Sequence, residues 1–555
     1  MQLKSLGRRT AWLVPVLLVA GLIASAQSGS AQPAKWTAPK PQVRNAVAFD
    51  MSRPLRDIAQ RPTAPAGRIH LPPERGPAVA DRGFAGDGAV QSTAPAGADI
   101  DPPLATFEGL SNADNLSLLG VQVSPPDPVG DVGPNHYVEM VNLLFAVYAK
   151  DGTRLLGPLD LGSLWAGFEV DDCTDLSGDP VVLYDQLEDR WILSQFTTRG
   201  PIFYNCVAIS TNGDPTGAYY RYAFSSGEFF PDYPKYGVWT NSYVLTSRDF
   251  GPTVEYGISV YALEKNKMLN GEPARSIQFF LDSAVVPINL IGDGLLPADI
   301  DGNRRPRDSA KIPIVGTQDD EGPYGAAFDA LNLFELAVKW KSQPTASLTL
   351  TAQIPVAEFD SAFPCSPGSR NCIPQPGTAN QIDILSYRQR PTWRLAYRNF
   401  GTHESMVTNQ SVEALPGIAG ARWYEIRRTG GAFSLYQQGT YAPDDGVNRW
   451  MGSIAMDKRG NAALGYSVSN ATTVFPGIRY TGRLRGDPLG DMTLGEGVII
   501  NGSGSQLVSA RWGDYTSMNI DPTDDCTFWY VNEYYQVSSD RGWQTRIGSF
   551  VLPGC

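Results

Sequence analysis

Apolar residues along this chain come in short runs, separated by polar turns rich in Asp, Asn and Gly. Val138 to Tyr148, Val181 to Phe196, Phe203 to Ser210 and Tyr243 to Thr246 are examples, and each reads as strand. No segment sustains a long apolar period of 3.6 residues. Ala326 to Trp340 comes nearest, and it reads as a short helix or as another strand pair. One hairpin pattern recurs. Gly178-Asp179-Pro180-Val181-Val182-Leu183-Tyr184-Asp185 is followed by Asp189-Arg190-Trp191-Ile192-Leu193. The pattern returns from Asp232 to Leu245, from Trp450 to Leu464 and from Trp512 to Tyr530. Asp127-Pro128-Val129-Gly130-Asp131, with Tyr137 to Val141 behind it, reads as a fifth copy.

A hairpin repeated every 50 to 60 residues or so means an array of small sheets, and radial closure is the usual way to hide their edges. The expected fold class is therefore all-β, a β-propeller. The interval from Asp232 to Ser453 leaves room for about three further blades. One could start near Ala298-Asp299-Ile300-Asp301 and another near Gln375-Pro376-Gly377. Seven blades is the best count, with six and eight open.

Composition adds the compartment. Lys4, Arg8 and Arg9 precede a short apolar run from Ala11 to Ile23, and Ala24-Ser25-Ala26 fits a small-residue cleavage site. Residues 1–26 are thus expected to be a signal peptide, too short to span a membrane comfortably. Residues 27–104 are rich in Pro, Ala, Gly and Arg without a period, and read as a disordered leader. The propeller domain is expected over 105–555. No later segment is apolar enough to cross a bilayer, so a secreted or periplasmic protein is expected. Six cysteines in an exported chain point to three disulfides. Cys365 and Cys372 flank a Pro/Gly/Ser loop. Cys526 lies in the last hairpin, and Cys555 is the final residue. Cys173 and Cys206 remain, on either side of one strand pair. Other pairings exist in principle. The formal net charge of −12 argues against a nucleic-acid partner.

The Asp-turn hairpins, with Trp191 or Trp529 on the return strand, resemble the bacterial neuraminidase-type repeats of sialidase-like β-propellers. Tyr397 to Ser405 and Arg511-Trp512-Gly513-Asp514-Tyr515 also resemble a group of exported bacterial proteins of unknown activity. The resemblance covers roughly residues 105 to 555, although the full Ser-x-Asp-x-Gly-x-Thr-Trp box is absent. It implies an extracellular glycan or protein as ligand, bound at the channel mouth. The alternative is a glycoside hydrolase acting on an acidic glycan.

Arg398, His403, Glu404, Arg422, Tyr424 and Glu425 fall in one blade-sized segment, and Arg511 comes from the last blade. These are residue types sialidases use: arginines for a carboxylate and a Tyr/Glu nucleophile pair. Glu404 is the candidate proton donor, if burial raises its pKa. Tyr424 and Glu425 are adjacent, so a strand would aim them at opposite faces. Asp131, Asp179, Asp232 and Asp514 hold matching places in their repeats. Turn capping explains such repetition more simply than catalysis, but Asp179 and Asp514 stay candidates at the pocket edge. His70, His136 and His403 are the only histidines, which excludes a three-histidine zinc site in the folded part. Asp299-Ile300-Asp301-Gly302-Asn303 begins like a calcium loop, yet Arg304 stands at the turn glycine and Ala310 at the bidentate Glu. No cofactor is expected, with calcium on these oxygens left open.

Overall fold

A computed structural model describes residues 36–58, 84–95, 100–252, 256–307, 309–362, 371–384 and 389–555. The described chain is all-β, and its strands form antiparallel four-stranded groups of consecutive hairpins. The first group is Val129–Val132, His136–Val141, Leu144–Ala149 and Arg154–Asp160. The second starts at Val181–Asp185, the third at Phe230–Val238 and the fourth at Leu296–Asp301. Thr392–Asn399, Asn448–Met456 and Ser517–Ile520 open the groups that follow. These opening strands lie side by side in chain order, and Ser517–Ile520 lies against Val129–Val132, so the row closes into a ring. Leu296–Asp301 and Thr392–Asn399 pair directly in parallel, which fuses two groups into one sheet. The last group has three strands of its own. Ala105–Ser111 supplies the fourth by pairing with Gln544–Phe550, so the two ends of the ring share one sheet.

The turn chemistry is local. Asp457 Oδ1 accepts from the N–H groups of Arg459 (2.8 Å) and Asn461 (3.0 Å). Asp185 does the same for Leu187 and Asp521 for Thr523. Each ends one strand of the repeated hairpin, and its carboxylate satisfies the N–H groups that the turn would leave unpaired. Between the sheets the packing is aromatic: Trp191, Trp239, Trp450 and Trp512 are all fully buried. The segment Ala326 to Trp340 is neither a helix nor a strand pair: it holds one strand, Ala330–Lys339. Ala330–Lys339 hydrogen-bonds to Thr345–Pro355.

The stretch expected to be a disordered leader instead contributes structure. Gln42–Asn45 pairs with Arg275–Asp282 at the edge of the third group, and Ala48–Met51 pairs with Tyr219–Gly227 at the edge of the second. Val90–Gln91 adds in parallel to Ser434–Tyr441. An edge strand gains most of its hold from backbone pairing. It therefore needs few apolar residues, and composition cannot announce it. The expected signal peptide, residues 1–26, lies outside the described residues.

Two of the expected disulfides are present. Cys173–Cys206 has a Cα separation of 5.9 Å and Cys526–Cys555 one of 5.7 Å. The third expected pair involves Cys365, which lies outside the described residues. Among the described residues no helix is long and apolar enough to cross a membrane.

Candidate functional site

The opening strands enter the ring through strained corners. Asp127 (φ 49°), Asp179 (φ 44°) and Tyr233 (φ 52°) each adopt a left-handed backbone, and each precedes a proline. Proline disfavours the right-handed helical region for the residue before it, and Asp tolerates the left-handed one better than Tyr does. Such strain collects where a surrounding structure holds it for a purpose. Here it gathers side chains at one end of the ring, termed the mouth.

Asn142 and three aspartates form the first layer. Asp127 Oδ2 accepts from Asn142 Nδ2 at 2.8 Å, and Asn142 Oδ1 accepts from the N–H of Asp179 at 2.9 Å. Asp127 Oδ1 takes the N–H of Asp514 at 2.7 Å. Tyr515 donates its hydroxyl to Asp179 Oδ2 at 3.0 Å. Asp127, Asp179 and Asp514 are 3 %, 8 % and 7 % exposed. Burial, reinforced by Asp514, pushes Asp127 up to about 7. Burial and the charges of Asp127, Asp232 and Asp514 push Asp179 well above the usual carboxylate range.

Cations form the second layer. Lys235 Nζ lies 3.1 Å from the centroid of the Tyr233 ring and 3.5 Å from that of Tyr515. Burial, with Arg390 nearby, holds its amine well below the usual lysine range. Arg390 stacks on the other contact of Tyr233, its Cζ 3.6 Å from the ring centroid, and its Nη2 is 3.7 Å from Asp514 Oδ2. Arg390 is 3 % exposed, yet its Nη1 and Nη2 make no hydrogen bond. Arg248 gives Nη2 to Asp293 at 2.6 Å, while its Nε and Nη1 make none. Buried N–H groups left unmatched cost about 1–3 kcal/mol each. The mouth thus offers donors with no hydrogen-bond acceptor beside buried acids whose pKa is raised and an amine whose pKa is lowered.

The expected site residues divide between the two ends of the ring. Asp179, Asp514 and Arg511 meet at the mouth, where Arg511 Nη2 bonds Asp514 Oδ1 at 3.1 Å. Arg398, His403 and Glu404 do not join them. Thr392–Asn399 separates Arg390 from His403, and eight extended residues span about 25 Å. His403 and Glu404 instead line a basic cleft of about 530 Å³ with Arg304, Arg307, Lys311 and Arg428. The raised pKa on which Glu404 as proton donor depended is not found there. Burial alone would raise its pKa, but the bonds from Arg428 (2.6 Å) and Tyr397 hold it below the ordinary value. Arg398 is paired with Asp525 at 2.7 Å. Arg422 is fully buried and bonds Asp87 (3.0 Å), Gln438 (2.9 Å) and the Tyr424 hydroxyl (2.8 Å). Tyr424 and Glu425 face opposite sides of their strand, and Glu425 accepts from Ser405 and Gln437. The segment that began like a calcium loop is also accounted for: Asp299 and Asp301 both pair with Arg394, at 2.8 and 2.5 Å.

Sequence reasoning missed Lys235, Arg390, Tyr233 and Tyr515. A signal existed for two of them. Tyr233-Pro234-Lys235 breaks the Asp-Pro-Val wording of its repeat, placing a lysine where an apolar strand residue belongs.

No protein-family model matches this chain, and no curated protein matches it. Among solved structures, an alpha-L-arabinanase of Penicillium chrysogenum complexed with arabinobiose is 6 % identical, with a TM-score of 0.33, covering 69 % of this chain and 99 % of its own. The alpha-L-arabinofuranosidase Arb93A of Fusarium graminearum is 10 % identical with a TM-score of 0.32, covering 67 % and 94 %. A subtype N10 neuraminidase-like protein of A/little yellow-shouldered bat/Guatemala is 10 % identical with a TM-score of 0.31, covering 70 % and 98 %. Likeness at these scores carries no weight for what this chain does.

Proposed function

We propose that this protein is an exported seven-bladed β-propeller that binds an anionic extracellular glycan at the mouth of its ring. The four-stranded groups are the blades, and the closed row of opening strands is their axis. The observation that carries the reading is Arg390, buried with Nη1 and Nη2 unmatched. A carboxylate is the planar partner such a fork accepts in two bonds. Lys235, Tyr233 and Tyr515 provide the aromatic and polar floor on which a sugar ring packs.

Hydrolysis is a second reading, and one contact favours it. Tyr515 hydrogen-bonds Asp179, which supplies a phenol with an adjacent base. The raised Asp179 makes a stronger base than an ordinary aspartate. In this reading Tyr515 attacks the anomeric carbon, and Asp127 or Asp514 exchanges protons with the leaving oxygen.

The experiment is a glycan array of acidic and neutral oligosaccharides, with hydrolysis of every binder followed in parallel. Selective retention of uronate- or sialate-bearing glycans supports binding, and release of a sugar adds catalysis. Retention of neutral glycans alone, or of none, refutes the anionic ligand.

A further inference from the structure

Beside the mouth, carboxylates gather, and among the described residues none of Asp319, Asp320 and Asp329 is ion-paired with a cation. Asp319 and Asp320 follow the strand Ile312–Gln318, and Asp329 precedes Ala330–Lys339. One carboxylate oxygen from each lies within 4.8 Å of the others. Backbone groups fix two of the three. Asp319 Oδ1 accepts from the N–H groups of Glu321 (2.9 Å) and Gly322 (2.8 Å), and Oδ2 from that of Ser361 (2.8 Å). Asp329 takes the N–H groups of Asp320 (2.9 Å) and Phe359 (2.6 Å). Residues 359–361 are thereby strapped across the cluster.

Asp360 sits inside that strap, 1 % exposed. Its Oδ1 accepts from the N–H of Ala362 at 2.6 Å, but its Oδ2 is buried with no hydrogen-bond partner. Its neighbours Phe359 and Ser361 donate their N–H groups to Asp329 and Asp319, which sets Asp360 beside the cluster. Among the described residues, no Lys or Arg forms an ion pair with Asp319, Asp320, Asp329 or Asp360. Buried carboxylates without a counter-charge are costly, and each one close by adds repulsion.

We propose that Asp319, Asp320, Asp329 and Asp360 hold a hard divalent cation, calcium by preference. Every donor is a carboxylate oxygen, which suits calcium, magnesium or manganese and not zinc or copper. The donors come from the two ends of the 319–329 loop and from the 359–361 strap, with no octahedral template. Calcium tolerates such irregular coordination, whereas magnesium demands near-ideal geometry. The site is distinct from Asp299 and Asp301, whose carboxylates Arg394 already neutralises. Bound metal cross-links the loop after Gln318, the start of the next strand and the 359–361 strap. Gly322 in the first of these abuts Gln389, the neighbour of Arg390, so the metal braces the mouth without touching its ligand.

Chelator-treated protein is titrated with calcium and with magnesium by calorimetry, and its Tm is followed in both ions. One calcium per chain, a Tm that rises with calcium, and magnesium at least tenfold weaker are expected. Asp360→Asn and Asp329→Asn should each weaken calcium at least tenfold. Asp360→Asn should also raise the Tm of the metal-free protein, because one repelling charge is gone, whereas Asp329→Asn strands one of the two backbone N–H groups that its oxygens accept and should not. Wild-type protein with neither heat nor Tm shift at about 10 mM calcium, beyond the range of extracellular sites, overturns the proposal. Calcium binding by both variants at wild-type affinity overturns it too. If Asp329→Asn does not fold, the wild-type titration and Asp360→Asn decide.

Discussion

Tyr515 donates its hydroxyl to Asp179 across 3.0 Å, and the contact joins the last four-stranded group to the second. The two residues are far apart in sequence and belong to equivalent corners of two repeats. Their meeting shows how the ring converts a repeated structural motif into a local site: here a corner carboxylate faces a phenol, with Lys235 Nζ 3.5 Å from the same ring.

Replacing Tyr515 with Phe keeps the ring that packs on Lys235 and removes the hydroxyl. Asp179 then loses a partner while buried, and the protein should lose about 1–3 kcal/mol in urea unfolding. Under the hydrolytic reading Tyr515→Phe also abolishes turnover and leaves ligand affinity within a few-fold. Turnover equal to wild type would confine Tyr515 to a structural role.

Asp87→Ala tests whether the chain before residue 105 is part of the fold. Asp87 Oδ1 accepts from Arg422 at 3.0 Å, and both side chains are fully buried. Removing one partner of a buried pair strands the other charge, so a loss of about 3–5 kcal/mol is expected. A change below about 0.5 kcal/mol, typical of surface positions, would mean that the segment does not dock.

Asp249 offers a clean view of pH dependence. It is fully buried between the hydroxyls of Ser247 and Ser259, and burial pushes it up to about 7. The folded chain therefore keeps this proton while the unfolded chain has lost it, from the ordinary aspartate value near 4 up to 7. In that window the unfolded state binds fewer protons, so stability falls as pH rises, by up to about 1.4 kcal/mol per pH unit from this group. Asp249→Asn keeps the shape and should flatten the slope. Urea midpoints from pH 4.5 to 7.5 measure it, and an unchanged slope would contradict the buried, protonated carboxyl.

Cys555→Ser opens the bond that ties the chain end to the last hairpin. The two cysteines are 29 residues apart, and loss of about 2–4 kcal/mol is expected. Equal unfolding midpoints for variant and wild type would show that the bond does not brace the ring.

The hairpins were legible because each carries its own instructions: an apolar strand, an Asp that caps the turn, and an aromatic return strand. Asp185, Asp457 and Asp521 stand in the tight Asp/Asn/Gly turns that the pattern places between the strands, and they cap them, whereas the sequence pattern assigns capping to Asp131, Asp179, Asp232 and Asp514. The disulfides Cys173–Cys206 and Cys526–Cys555 were legible for a similar reason, since elimination and hairpin position sufficed. The site was only half legible. Asp179, Asp514 and Arg511 were found because they belong to the repeats, but Arg398, His403 and Glu404 lie at the far end of a strand that sequence proximity could not orient. Arg390 gave no local signal. Its meaning depends on Tyr233 and Asp514 from distant repeats, and on the N–H groups that nothing meets. The edge strands near residues 42–51 were hidden because backbone pairing, not side-chain pattern, holds them.

The central claim is that Arg390 is kept buried, with no hydrogen bond from Nη1 or Nη2 and Asp514 no nearer than 3.7 Å, for a ligand anion. Arg390→Met decides it by pairing two readouts on one variant. The account predicts that the variant unfolds at the same or a higher urea concentration than wild type, since a costly buried cation is replaced by an apolar chain of similar reach. It also predicts at least a hundredfold loss of affinity for the acidic glycan that the array selects. A variant that is strongly destabilised yet binds that glycan as wild type does would show that Arg390 serves the fold, and would contradict the account.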